Sequence, residues 1–128
     1  MDKEKINKLS KTILDISIEI HKQLGPGLLE SIYEICFCKE LNLRNIKFKR
    51  QVEIPVYYKG EKLSTSFRID ILVENEIIIE LKAIENILPV HKSQLLTYLK
   101  LTKKRLGLLI NFNVPYMVEG FHRIVNKL

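Results

Sequence analysis

The 128-residue sequence predicts a mixed α/β (α+β) fold, a central mixed β-sheet flanked by helices in the order α-α-β-β-β-α-β plus a tail. Three observations predict it. Apolar residues recur at helical steps in the first third of the chain. The period changes to two near Ile46. Two nearly all-apolar runs, 77–83 and 105–112, read as buried central strands. The length suits one domain with its own core, so residues 1–128 are read as a single domain.

The elements follow in order. Ile6, Leu9, Ile13, Ile16, Ile20 and Leu24 mark an amphipathic helix. Gly25-Pro26-Gly27 stops it, because Gly accepts a left-handed cap and Pro cannot continue a helix. A second helix is predicted over 28–43, with Tyr33, Phe37 and Leu41 on one stripe. Glu30 falls on that stripe. An inward carboxylate needs a partner or a cation, although Glu in a first turn also suits the helix dipole. Segments 46–58 and 61–73 are rich in β-branched and aromatic residues, and Lys59-Gly60 between them signals a hairpin. Pro55 suggests an edge position or a bulge. Glu74-Asn75-Glu76 is a second turn, leading into the strand 77–83. Pro89 opens a helix through about Lys103, and 105–112 is the next strand. The segment 121–125 (FHRIV) fits a short edge strand or a helix equally well. There is no repeat, low-complexity tract or linker.

The charge is unevenly placed. Residues 1–90 are balanced, whereas residues 91–128 carry Lys92, Lys100, Lys103, Lys104, Arg105, Arg123 and Lys127 against Glu119 alone, which accounts for the whole +6. A positive third of a small chain suits a polyanion such as nucleic acid, or simply a solvated surface. No apolar run reaches the roughly 20 residues of a membrane helix, and the charged start MDKEKINKLSK lacks a signal-peptide core. Cys36 and Cys38 are too close for a good disulfide and lack the partners of a zinc site. They read as reduced thiols of a cytoplasmic protein.

The stretch 67–83 (FRIDILVENEIIIELKA) carries the chemistry. Strand alternation puts Phe67, Ile69, Ile71 and Val73 on one face and Arg68, Asp70 and Leu72 on the other; in the next strand Ile78, Glu80 and Lys82 share a face. Closing the hairpin on the loop 74–76 sets Val73 opposite Ile77 and therefore Asp70 opposite Glu80. A slip of one residue would put Ile on the polar face. Two opposed carboxylates repel. Either one stays protonated, or a hard cation such as Mg²⁺ or Mn²⁺ bridges them, with the Leu81 carbonyl as a further oxygen ligand. Lys82, one step along, could offset phosphate charge or assist an attacking water. The plain structural alternative pairs Lys82 with Glu80 or Asp70.

Asp70…Glu80-Leu81-Lys82 resembles the motif of the PD-(D/E)XK nuclease superfamily, whose restriction-endonuclease-like fold sets it on two adjacent strands. Ile69 stands where the superfamily's name has Pro. Glu30 resembles the superfamily's helical acidic residue, and Gln94 with Tyr98 resembles the Gln-x-x-x-Tyr pair of RecB-like members. Gly27-Leu28-Leu29-Glu30-Ser31-Ile32-Tyr33 is similar to the signature of the GxxExxY family within that superfamily. The segments 21–27 and 111–113 also look typical of that family. The resemblance covers the chain from about residue 10 onward.

The resemblance implies a metal-dependent nuclease. Asp70 and Glu80 would bind Mg²⁺ or Mn²⁺, with Glu30 as a third acidic group. Lys82 would position the nucleophile, and Gln94 would orient water or contact the backbone. Structurally, Gln94 is also an ordinary helix amide and Tyr98 a core residue. Lys49, Lys103, Lys104, Arg105 and Tyr98 are read as nucleic-acid contacts, with DNA ahead of RNA as substrate. Lys49 and the basic end of the third helix are expected to flank the site. A homodimer is expected by analogy, and no membrane partner. The alternative function is a non-catalytic nucleic-acid-binding or partner-binding domain on the same fold.

Overall fold

The structure is a computed structural model that describes residues 1–128. The elements are α1 (Lys3–Leu24), α2 (Glu30–Leu43), β1 (Phe48–Tyr58), β2 (Glu61–Val73), β3 (Ile77–Lys82), α3 (Pro89–Thr102), β4 (Leu106–Asn111), a 3-10 turn (Met117–Gly120) and β5 (Phe121–Val125). The predicted mixed sheet flanked by helices is present, with strand order β1-β2-β3-β4-β5. β3 and β4 are parallel, and the other neighbours are antiparallel. The segment 121–125, which the sequence left open, is the edge strand beside β4.

Helix ends follow local chemistry. Asp2 caps α1 by accepting from the Lys5 N–H at 2.8 Å, so the helix starts ahead of its first apolar residue. Gly25 (φ 70) ends it. α2 starts at Glu30 rather than at residue 28, because Tyr33 reaches back over the turn. Its hydroxyl donates to the Gly25 carbonyl at 2.6 Å and accepts from the Leu28 N–H at 3.2 Å. The Tyr33 ring stacks on Phe112, centroids 4.2 Å apart.

The sheet separates two cores. Ile71, Val73, Ile77, Ile79 and Leu81 pack with Leu108 and Ile110 against α1 and α2, where Ile13, Ile16, Tyr33 and Phe37 meet them. Leu72, Ile78 and Leu109 pack against Leu95, Tyr98 and Leu99 of α3. Burial on both faces explains why β3 and β4 read as continuous apolar runs.

The β2–β3 register is the one expected: Val73 pairs with Ile77, Leu72 with Ile78 and Ile71 with Ile79. The turn needs left-handed residues yet contains no glycine; Glu74 (φ 52) and Asn75 (φ 57) adopt that conformation. Glu74 is held there from both sides. Its carboxylate accepts from the Lys47 N–H at 3.0 Å, and its own N–H donates to the Lys47 carbonyl at 2.9 Å.

The simple alternation expected for β2 is corrected at Asp70. Ile71 and Val73 face α1 and α2, but Ile69 packs in the α3 core, with Phe67 against it. The cause lies in the neighbouring strand. Gln51, between Arg50↔Ile71 and Val52↔Ile69, has φ 52. That left-handed residue kinks β1 opposite Asp70, and the hairpin beyond it changes face.

Candidate active site

The kink is pinned by α2. Glu34 is buried and accepts from the Gln51 amide at 2.8 Å and from the Arg50 guanidinium through Nε at 3.0 Å and through Nη2. Neither Glu34 nor Gln51 was singled out from sequence. Glu34 carried a usable signal: it lies on the stripe formed by Glu30, Phe37 and Leu41. Removing Glu34 leaves Gln51 unanchored and Arg50 without a counter-charge. Glu34→Ala is expected to cost about 2–3 kcal/mol in urea unfolding, less than a fully buried pair because Arg50 is half exposed.

At the kink the β2–β3 ladder gives way to side chains. The Asp70 N–H donates to the Glu80 carboxylate Oε2 at 2.8 Å, and the Leu81 N–H donates to the Asp70 carboxylate Oδ2 at 2.8 Å. The Glu80 carboxylate is thus held by the main chain of Asp70, and the Asp70 carboxylate by the main chain one residue past Glu80. Both main-chain groups of a strand residue point to the same side, so the Leu81 carbonyl projects toward Asp70.

Electrostatics match the crowding. Burial raises Asp70 above the usual carboxylate range, opposed by the hydrogen bond from Leu81; Glu34 and Glu30 raise it further. Burial and then the Asp70 charge push Glu80 up to about 8. The pair therefore holds a proton near neutral pH when no cation replaces it. The folded state binds that proton and the unfolded chain releases it near 4.5. Without metal, stability should fall by a few kcal/mol as pH rises from about 4.5 to about 8. Millimolar Mg²⁺ should flatten that decline, read by urea titrations across the same pH range.

The remaining predicted residues are placed as follows. Lys82 shares the face of Glu80 and is half-buried; none of the four ion pairs of the fold involves it, so its pairing with a carboxylate is not what the structure shows. The Glu30 carboxylate accepts from the Ala83 N–H at 3.3 Å, next to Lys82. It is not gathered with Asp70 and Glu80, and no group of three or more His, Cys, Asp or Glu side chains forms a cluster fit for a metal. Gln94 is exposed on α3. Tyr98 is buried under the site, its ring 5.0 Å from that of Phe67, and burial followed by the Glu80 and Asp70 charges raises its pKa.

Lys49, Lys103, Lys104 and Arg105, expected to flank the carboxylates, lie toward the start of β3. Leu106 pairs with Ile77 and Asn111 with Lys82, so Lys103–Arg105 stand at the opposite end of β3, roughly 16 Å along the strand from Lys82. Lys49 pairs with Leu72, two residues from Asp70. Lys104 donates to Asn75 at 3.2 Å, and Arg105 donates to the Met1 carbonyl. The parallel β3-α3-β4 crossover dictates this, because the helix must return the chain to the start of β3.

One functional position lacked an assigned role in the sequence reading. Asn111 is buried, and its amide donates to the Ile84 carbonyl at 2.9 Å while its oxygen accepts from the Ile84 and Asn113 N–H groups at 3.1 and 3.2 Å. With Glu30 on Ala83 it clamps the chain leaving Lys82.

Two hard carboxylates and a carbonyl oxygen, beside an unpaired lysine, form an oxygen-donor set that fits Mg²⁺ or Mn²⁺. The family comparison agrees in class. A model of the PD-(D/E)XK nuclease superfamily matches residues 7–124, and the chain belongs to that superfamily. Its mixed five-stranded sheet with three helices is consistent with the restriction-endonuclease-like fold. No match was found among curated proteins or solved structures. No helix is long and apolar enough to cross a membrane.

Proposed function

We propose that this chain is a divalent-metal-dependent nuclease that hydrolyses phosphodiester bonds of nucleic acid, DNA ahead of RNA. The observation that carries the reading is the cross-braced pair Asp70 and Glu80. Both are buried enough to resist ionising together, and each keeps one carboxylate oxygen free of the main chain. Asp70, Glu80 and the Leu81 carbonyl would hold Mg²⁺ or Mn²⁺. The cation, when bound, supplies polarisation of the phosphoryl oxygen and acidification of water. Lys82 offers an ammonium on the Glu80 face that is in no ion pair, suited to orienting water and offsetting charge on the phosphoryl oxygens. Glu30 and Asn111 hold Ala83 and Ile84, fixing where Lys82 leaves the strand. Gln94, exposed on α3, is available to water or backbone.

Within the superfamily, membership of the GxxExxY family is supported by the work of its three named positions here. Gly27 (φ 95) turns the chain, Glu30 binds Ala83, and Tyr33 staples the turn. A homodimer is supported by Leu29, just ahead of α2, and Ile32 and Ile35 on it, which are exposed. The free thiols of Cys36 and Cys38 fit the reducing cytoplasm. The test is a cleavage panel of end-labelled single-stranded, duplex and branched DNA, and RNA, with Mg²⁺ or Mn²⁺. Wild type should cleave, and Lys82→Ala should lose cleavage while keeping fold and metal binding. Binding that persists in EDTA without cleavage under any metal would replace this reading with a non-catalytic nucleic-acid-binding domain.

A further inference from the structure

Past Asp70 the β1–β2 hairpin leaves the sheet. β2 pairs with β3 only through Ile71–Val73, whereas its pairing with β1 continues to Tyr58↔Glu61. Residues 53–67 are therefore a two-stranded arm, a structure marginal by itself in water. Ile54 and Phe67 anchor its base in the α3 core. Beyond that base, neither Tyr57 (62% exposed) nor Tyr58 (63%) joins a core. Tyr57 stands opposite Lys62, and the Lys59 ammonium lies 5.5 Å from the Tyr58 ring centroid. Glu53 and Arg68 neutralise each other at 3.0 Å, leaving Lys59 and Lys62 against Glu61. A groove between the arm and α3 is lined by Val52, Ile54, Tyr57, Leu101 and Lys104.

We infer that this arm binds a single-stranded stretch of nucleic acid several nucleotides from the scissile phosphate. Bases stack on Tyr57 and Tyr58, and phosphates meet Lys59 and Lys62. Exposed aromatics beside unpaired lysines suit a polyanion with accessible base faces, which a duplex does not present. The register favours this occupant over strand addition by a second copy. Pro55 and the irregularity between Pro55 and Tyr57 interrupt the outer edge that an added strand would need. The arm grows from the strand carrying Asp70, and Lys62 lies eight residues from Asp70, roughly 26 Å of strand that several nucleotides of single strand span. The inference rests on the nuclease reading for its meaning but not for its test.

The test uses fluorescence anisotropy in EDTA, with a labelled oligothymidylate of about 20 nucleotides and a duplex of the same length as probes. Tyr57→Ala with Tyr58→Ala should weaken single-strand binding by about tenfold or more, and Lys59→Ala with Lys62→Ala should reduce the salt slope by about 1.4. The chain has no Trp, so quenching of tyrosine emission by the oligonucleotide should shrink in the tyrosine variant. Unchanged circular dichroism and an unchanged Mn²⁺ titration would show that the variants fold. Equal affinity in wild type and variants, or binding confined to duplex, would overturn the inference. So would a variant that instead turns a dimer into a monomer in light scattering. Hydrolysis of bis(4-nitrophenyl) phosphate by wild type reports on the nuclease reading separately: its presence with an inert arm sinks only the arm, and its absence with arm-dependent binding sinks only the nuclease.

Discussion

Glu80→Gln is expected to abolish metal-dependent cleavage, by about a thousandfold or more, while making the metal-free protein more stable at pH 8. Both effects have one origin. Glu80 is pushed up to about 8 by burial and by Asp70, so as pH approaches 8 the fold must either hold a proton that the unfolded chain has lost or carry two crowded negative charges, unless a cation lies between them. A neutral amide removes that repulsion. Its oxygen can accept from the Asp70 N–H as the carboxylate does, and its NH₂ can donate to the Asp70 carboxylate. The gain should be a few kcal/mol at pH 8 and vanish below about pH 4.5, where Glu80 is protonated in the folded and unfolded chain alike. The same amide takes away one anionic oxygen ligand, which weakens a hard-cation site and the charge stabilisation it supplies. Urea unfolding at the two pH values and cleavage in Mn²⁺ read the two halves. A variant that loses activity and also loses stability at pH 8 would show that Glu80 supports the fold rather than opposing it.

Gly120→Ala is expected to be the most destabilising single-methyl change in the chain, costing about 4 kcal/mol or more. A Cβ at Gly120 would stand 2.0 Å from the Asn111 carbonyl oxygen, and that partner is backbone at the end of β4. Either β5 separates from β4 or β4 shifts at Asn111. The second response moves the amide that holds Ile84, so surviving protein should have reduced activity as well as a lowered Tm. By contrast, at Gly107 the Cβ would meet only the Leu95 side chain, at 2.8 Å, which can rotate away, so Gly107→Ala should cost less. Comparing the two melts checks the argument; a milder effect at Gly120 would contradict it.

The legible parts of the fold were those written in local pattern. The β2–β3 register follows from period-two alternation and a three-residue loop, and that pattern alone brings Asp70 to Glu80. The kink that turns this pairing into a site was not legible. Gln51 adopts φ 52 because Glu34, seventeen residues away in sequence, holds its side chain, and nothing in the strand itself marks it. Glu34 was readable as an inward acid but not its partner, since partners across elements require the packed structure. The position of the basic residues 103–105 along the sheet is hidden for a different reason. Their clustering was read from charge alone, whereas the parallel crossover that sends them to the far end of β3 was already implied by two buried strands joined through a helix. The tyrosines of the arm were overlooked because an exposed aromatic in a strand looks the same in sequence as a buried one.

The central claim is that a divalent cation belongs between Asp70 and Glu80. A calorimetric titration of Mn²⁺ at pH 8 into wild type and Glu80→Gln tests it most directly. The account predicts saturable binding by wild type, with protons released as the cation displaces the one the pair holds, and loss of that binding in the variant. Equal heats from both proteins, or none from either, would contradict it.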